Sequence, residues 1–140
     1  MAAKKKKKTA KKAAKRTGRA TPLDRLRRIC VEFPEFHEVK AWEAPTFRVK
    51  NKQFAMFAGE GNHHTDGRPS VWIKASPANQ ELMIRAAPEK FFKPPYVGPS
   101  GWVGVYVDKK VDWDEIASLL EDGYRMVAPK RVLAAFDETA

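Results

Sequence analysis

The 140-residue chain carries 27 Lys and Arg against 17 Asp and Glu, a net charge of +10, and 43% of its residues are hydrophobic. Ten of the cations fall in the first twenty residues, MAAKKKKKTAKKAAKRTGRA, so residues 21–140 hold 17 bases and 17 acids and are formally neutral. The composition excludes an internal disulfide, since Cys30 is the single cysteine and fits a reducing, cytoplasmic compartment, and it excludes both a span of about 18 apolar residues and an export signal with an apolar stretch of roughly 7 to 15 residues behind the basic start.

Residues 1–20 are rich in Lys and Ala and poor in large apolar groups. Such a segment cannot bury enough surface to offset its ordering entropy, so a disordered basic tail is expected. Residues 21–140 are long enough to bury a core and read as one domain. Thr21 followed by Pro22, with Asp24 three residues on, is a helix-start signature. Leu23, Leu26, Cys30 and Phe33 then recur at helical spacing and predict a helix closed by Pro34. On that stripe Cys30 reads as a buried structural thiol.

From residue 38 the apolar period drops to two. HEVKAW predicts a strand, and TFRVKNKQFAMFAG a hairpin with Phe47 and Val49 sharing one face and Phe54 and Met56 sharing a face of the second strand. The KNK turn presents Lys50 and Lys52. GEGNHHTDGRPS is turn chemistry throughout and predicts a mobile loop. SVWIKA reads as a strand, and Ser76 with Pro77 opens a helix ending near Pro88. EKFFKPPYVGPSG reads as irregular, and WVGVYVD as a further strand whose exit turn holds Asp108, Lys109 and Lys110. Asp112 and Glu115 resemble a capping box for a long helix with Trp113, Ile116, Leu120 and Val127 on its stripe. After Pro129, KRVLAAF predicts one or two helical turns. The order of elements favours an α+β fold in which an antiparallel sheet of about five strands is covered by helices on one face.

Few constellations point to catalysis or metals. His63 and His64 are adjacent in a loop and lack further ligands at zinc spacing. His37 beside Glu38 would point to the opposite side of a strand. No phosphate-cradling glycine loop or glycine-flanked serine is present. Asp112, Asp114 and Glu115 sit where a helix start favours acids. No enzyme, metal or cofactor is therefore expected. Phe47, Phe54, Trp72, Trp102 and Trp113 follow core patterns, whereas Phe91, Phe92 and Tyr96, near Trp102, can line a groove or lid the sheet.

The strongest signal is the tail. Lys4, Lys5, Lys6, Lys7, Lys8, Lys11, Lys12, Lys15, Arg16 and Arg19 can displace counterions from a polyanion, which gives affinity with a steep salt dependence and little base selectivity. A nucleic acid is favoured over an anionic membrane, because no apolar or lipidated partner signal accompanies the run. The rival reading makes the folded part a small-molecule or protein-binding domain, with the tail serving localisation or solubility.

WEAPTFRVKNKQFAMFA, VWIKASP, FFKPPYVGPSGWVGVYVD and DWDEIASLLEDGYRMVAPKRVLAAF, in this order and spacing, resemble the MmcQ/YjbR-like family over nearly all of residues 23–136. These are small bacterial proteins with a CyaY-like α+β fold. The resemblance implies duplex DNA binding through paired wing-like hairpins, which would assign Arg48, Lys50 and Lys52 to one wing and Lys109 and Lys110 to another turn; the expected location is cytoplasmic, nucleoid-associated if the protein is bacterial. The Lys-rich tail lies outside the family pattern. The iron binding of the related frataxin-like fold uses an acidic first helix, and here that helix carries Arg25, Arg27 and Arg28.

Overall fold

A computed structural model of the chain describes residues 20–139. The first helix, α1 (Pro22–Cys30), starts as its sequence dictates: the Thr21 hydroxyl accepts from the Asp24 amide and the Asp24 carboxylate accepts from the Thr21 amide, both at 3.1 Å. This reciprocal cap satisfies two amides that a helix start leaves without partners. Strands β1 (Phe36–Ala41), β2 (Ala44–Val49) and β3 (Lys52–Ala58) follow as a meander, then β4 (Ser70–Ile73). Helix α2 (Pro77–Ala86) is capped by Ser76, whose hydroxyl accepts from the Asn79 amide. A two-residue strand β5 (Phe91–Phe92), β6 (Val103–Tyr106), α3 (Trp113–Val127) and α4 (Lys130–Thr139) complete the chain.

All six strands join one antiparallel sheet in the order β1-β2-β3-β4-β6-β5. The fold is α+β, as predicted, with one strand more than the sequence suggests. That strand is β5, inside the stretch read as irregular; it pairs with β6 for only two residues, Phe91 opposite Val105 and Phe92 opposite Gly104, too short for a period to show. The final helix is also longer than the one or two turns predicted, running ten residues. At α3, Asp112 caps by accepting from the Glu115 amide at 3.1 Å, but Glu115 turns its carboxylate to Lys90 at 2.6 Å instead of back to the cap.

Because side chains alternate along strands, the register sorts the sheet into two faces. Phe47, Ala55, Ile73 and Val103 lie opposite one another across β2, β3, β4 and β6. They belong to a cluster that also holds Leu26 and Cys30 of α1, Ile116, Leu120 and Tyr124 of α3 and Val132 of α4. Gly123 brings α3 against the sheet: a Cβ there would lie 2.9 Å from the Lys74 carbonyl oxygen and 3.4 Å from that of Phe54. On the other face Thr46, Met56, Trp72 and Gly104 line up, and a smaller cluster forms from Ala58, Trp72 and Trp102 with Met56, Phe92 and Val97 against it.

One prediction fails at β3. Phe47 pairs with Ala55 but Arg48 pairs with Gln53, so Phe54 is an extra residue in β3, a β-bulge. The bulge lets Phe54 and Ala55 both enter the helix-side cluster, while Met56 goes to the other face rather than sharing one with Phe54. The reason is aromatic packing: Phe54 meets Phe33 and Tyr124 edge-on at 6.0 and 5.7 Å, Phe33 stacks on Tyr124 at 4.7 Å, and Phe136 closes the group. The Tyr124 hydroxyl donates to the Pro34 carbonyl at 2.7 Å.

Candidate functional site

The ten tail cations, Lys4 to Lys8, Lys11, Lys12, Lys15, Arg16 and Arg19, lie outside the described residues. Of the candidates in the folded part, Lys50 and Asn51 form the two-residue β2–β3 loop with φ of 51° and 63°. This is the left-handed pair of a type I′ turn, whose twist matches that of the strands it joins. The loop does not leave Lys50 as a bare tip cation. Its Nζ lies 3.4 Å from Glu35 Oε1, and Glu35 also receives both guanidinium nitrogens of Arg131, at 2.7 and 3.3 Å. Arg131 first, and Lys50 after it, hold the Glu35 carboxyl below the usual carboxylate range. Lys52 is exposed, and the half-buried Arg48 donates from Nε to the Thr46 hydroxyl at 3.1 Å.

Lys109 and Lys110 are exposed in the segment leaving β6. Beside them Asp108 accepts both guanidinium nitrogens of Arg68, at 2.8 and 3.1 Å, and Arg68 lies 3.6 Å over the ring of Tyr106. The Arg68 contact holds the Asp108 carboxyl below its ordinary range. The register separates the two basic groups. Lys52 starts β3 at the end of the sheet where Ile73 meets Val103, whereas Lys109 and Lys110 follow Tyr106, which pairs with Ser70 at the opposite end.

The four candidate groove residues do not share one surface. Phe91 is buried in the helix-side cluster. Phe92 and Trp102 pack on the other face, where Phe92 stacks on Tyr106 at 4.7 Å. Tyr96 alone of the four lines a cleft there, of about 770 Å³. The cleft floor is the exposed side of β2–β4, with Gln53, Met56 and Trp72, and its walls are the Trp42-Glu43 turn, the 59–64 loop and Tyr96.

Trp42, predicted as the last residue of a strand, instead forms that turn with Glu43, at φ of 52° and 62°. The loop predicted as mobile is folded around Asn62. Its amide donates to the carbonyls of Gly59 and Arg68 at 2.8 and 2.9 Å, and its oxygen accepts from the amides of His64 and Thr65 and from the Thr65 hydroxyl. The result aims His64 at the cleft, where its ring meets Trp72 and Tyr96 edge-on at 5.6 and 5.8 Å. No local pattern announces the cleft; the signal in the sequence is only a large aromatic, Trp42, at a turn.

The remaining chemical candidates are engaged elsewhere. Glu38 binds Arg27 through two hydrogen bonds, at 2.9 and 2.7 Å, leaving His37 without the orienting acid a base would use. Burial pushes the Cys30 thiol up, far from a reactive thiolate. Among the described residues no group of three or more His, Cys, Asp or Glu is placed to hold a metal ion, and no helix is long and apolar enough to cross a membrane.

The YjbR family model matches residues 31–126. Two solved structures share the fold. A Deinococcus radiodurans protein with a DUF419 domain is 22% identical, the match covering 82% of this chain and 87% of that one with a TM-score of 0.66. A Pseudomonas syringae protein is 17% identical over 66% and 87% of the two chains, with a TM-score of 0.53. No curated protein matches the chain. With the family pattern running from the end of α1 almost to the end of α3, the chain belongs to the YjbR family.

Proposed function

We propose that this protein is a non-enzymatic binder of duplex DNA whose affinity comes mainly from residues 1–20 and is largely indifferent to sequence. The observation that carries this reading is the partition of charge: ten clustered cations against a body of 17 bases and 17 acids. Counterion release by such a run yields about 0.9 log unit of affinity per log unit of salt for each phosphate contacted. The folded part adds smaller contributions from Arg48 and Lys52 at one end of the sheet and Lys109 and Lys110 at the other. Lys50 contributes less than its position at a turn suggests, because Glu35 shares it. Between the two ends runs β3, seven residues from Lys52 to Ala58, about 20 Å at a strand rise near 3.3 Å. A duplex lying along the strands can meet both ends; one lying across an end meets one.

The test is duplex binding against salt for the native chain and for a full-length variant with all ten tail cations changed to Gln. The expected result is loss of most affinity and most of the salt slope in the variant, with Lys109→Gln and Lys110→Gln together lowering the slope only slightly. An unchanged slope in the ten-fold variant overturns the reading.

A further inference from the structure

The cleft on the face away from the main core is built differently from everything else in the molecule. Large apolar side chains at the surface of the described residues include two aromatics, Trp42 at 78% exposed and Tyr96 at 82%, and both line this cleft. Both also sit in left-handed backbone, with φ of 52° and 64°, a region that bulky residues rarely adopt because it crowds the Cβ against the backbone. In neither is this offset by burial in the folded chain. In the type I′ turn of residues 42 and 43 the residues that relieve such strain are Asn and Gly, and the chain has Trp and Glu instead.

The lining holds two carboxylates, Glu43 and Glu60, and two imidazoles, His63 and His64, and no Lys or Arg. Glu43 has a neighbour in Lys40 at 3.4 Å, but both side chains are largely in water, so that pair is weak. Glu60 has no ion pair among the described residues. A phosphate would meet these carboxylates with no Lys or Arg in the lining to offset them. A cation has two carboxylates and the rings of Trp42 and Tyr96 in the lining to meet, and an aromatic ring face attracts a cation. Met56 on the floor offers a polarisable apolar surface for the body of such a ligand, and about 770 Å³ lies within the range of small-molecule sites.

We propose that this cleft binds a small organic cation, a methylated ammonium on an apolar body, held between Trp42 and Tyr96 with Glu60 and Glu43 as counter-charges. The lining includes none of the proposed DNA contacts, although Arg48 pairs across the sheet with its floor residue Gln53.

The experiment follows the Trp indole and aromatic NMR signals of the full chain during titration with choline and with benzyltrimethylammonium. The neutral isostere 3,3-dimethylbutan-1-ol serves as control. The expected result is a saturable shift of Trp42, Tyr96 and His64 signals with both cations, tighter for benzyltrimethylammonium, with the alcohol at least about twofold weaker than choline, as loss of one exposed cation–ring attraction requires. Trp42→Asn, chosen because Asn accepts the left-handed backbone, should weaken benzyltrimethylammonium binding about tenfold or more while the fold is retained, and Glu60→Gln a few-fold. Absence of any saturable shift at millimolar cation, equal binding of the alcohol, or unchanged affinity in Trp42→Asn would overturn the proposal. So would movement of the Trp42 signal by a short DNA duplex, or markedly tighter choline binding when the ten tail cations are neutralised, which would make the chain's own lysines the occupant. DNA affinity measured on the same samples reads the other proposal separately.

Discussion

Two groups of aromatic residues, one on the helix side of the sheet and one at the cleft, stand in opposite surroundings. On the helix side Phe33, Phe54, Tyr124 and Phe136 contact one another with centroids 4.7 to 6.0 Å apart, and Phe54 and Tyr124 are fully buried. On the other side, beyond the packed Trp72 and Trp102, Trp42 and Tyr96 stand in water at strained backbone positions. The first group stabilises the fold through contact area and ring geometry. The second adds little to the fold, so substitutions on the two faces should differ in size and, at one place, in sign.

The largest effect belongs to the packed face. Phe54→Ala should destabilise by about 3 to 5 kcal/mol, read as a lower urea midpoint, because the bulge has committed Phe54 to a site that Phe33 and Tyr124 frame from two sides. A loss below about 1 kcal/mol would mean that the bulge relaxes and the comparison collapses.

Gly104 probes the packing beside the smaller cluster. A Cβ there would lie 2.2 Å from the Phe92 ring, so Gly104→Ala should cost about 1 to 3 kcal/mol by overpacking. Phe92→Leu in the same chain should recover part of it, a non-additivity that a double-mutant cycle measures.

At the cleft the sign reverses. Trp42→Asn with Glu43→Gly should raise stability by about 1 kcal/mol, seen as a higher Tm, since it removes two left-handed penalties and little buried area. A lower Tm would show that Trp42 supports the fold after all.

The smallest effect concerns acid. Arg131 and Lys50 lower the Glu35 pKa in the folded protein, so its contribution is present above the unfolded carboxylate pKa and fades as pH falls through the lower folded value. Glu35→Gln should therefore flatten the acid limb of stability against pH while leaving the two aromatic groups intact. An unchanged acid limb would show that the exposed triad is screened by solvent.

Thr21, Ser76 and Asp112 were legible as caps because each accepts from an amide three residues away, a reach that short sequence spacing specifies. The β2–β3 hairpin was legible from its period of two. Its bulge was not, since the reason for it lies in Phe33 and Tyr124, far along the chain. Lys50 read as a tip cation for the same reason: Glu35, which Lys50 shares with Arg131, reaches it only once β1, β2 and α4 are in place.

The amino-acid sequence by itself determined what depends on composition and short range: the helix starts, the alternating strands, the charged first twenty residues and the neutral remainder. These follow from local hydrogen bonding and from counting charges, neither of which needs a partner distant in the chain. Tertiary structure alone decided which cations share a carboxylate, that Lys52 and Lys109 stand at opposite ends of one sheet, and that Trp42, Glu60 and Tyr96 line the same cleft. Those outcomes depend on strand register and on which face each side chain takes, and a one-residue shift in register would have reversed the faces.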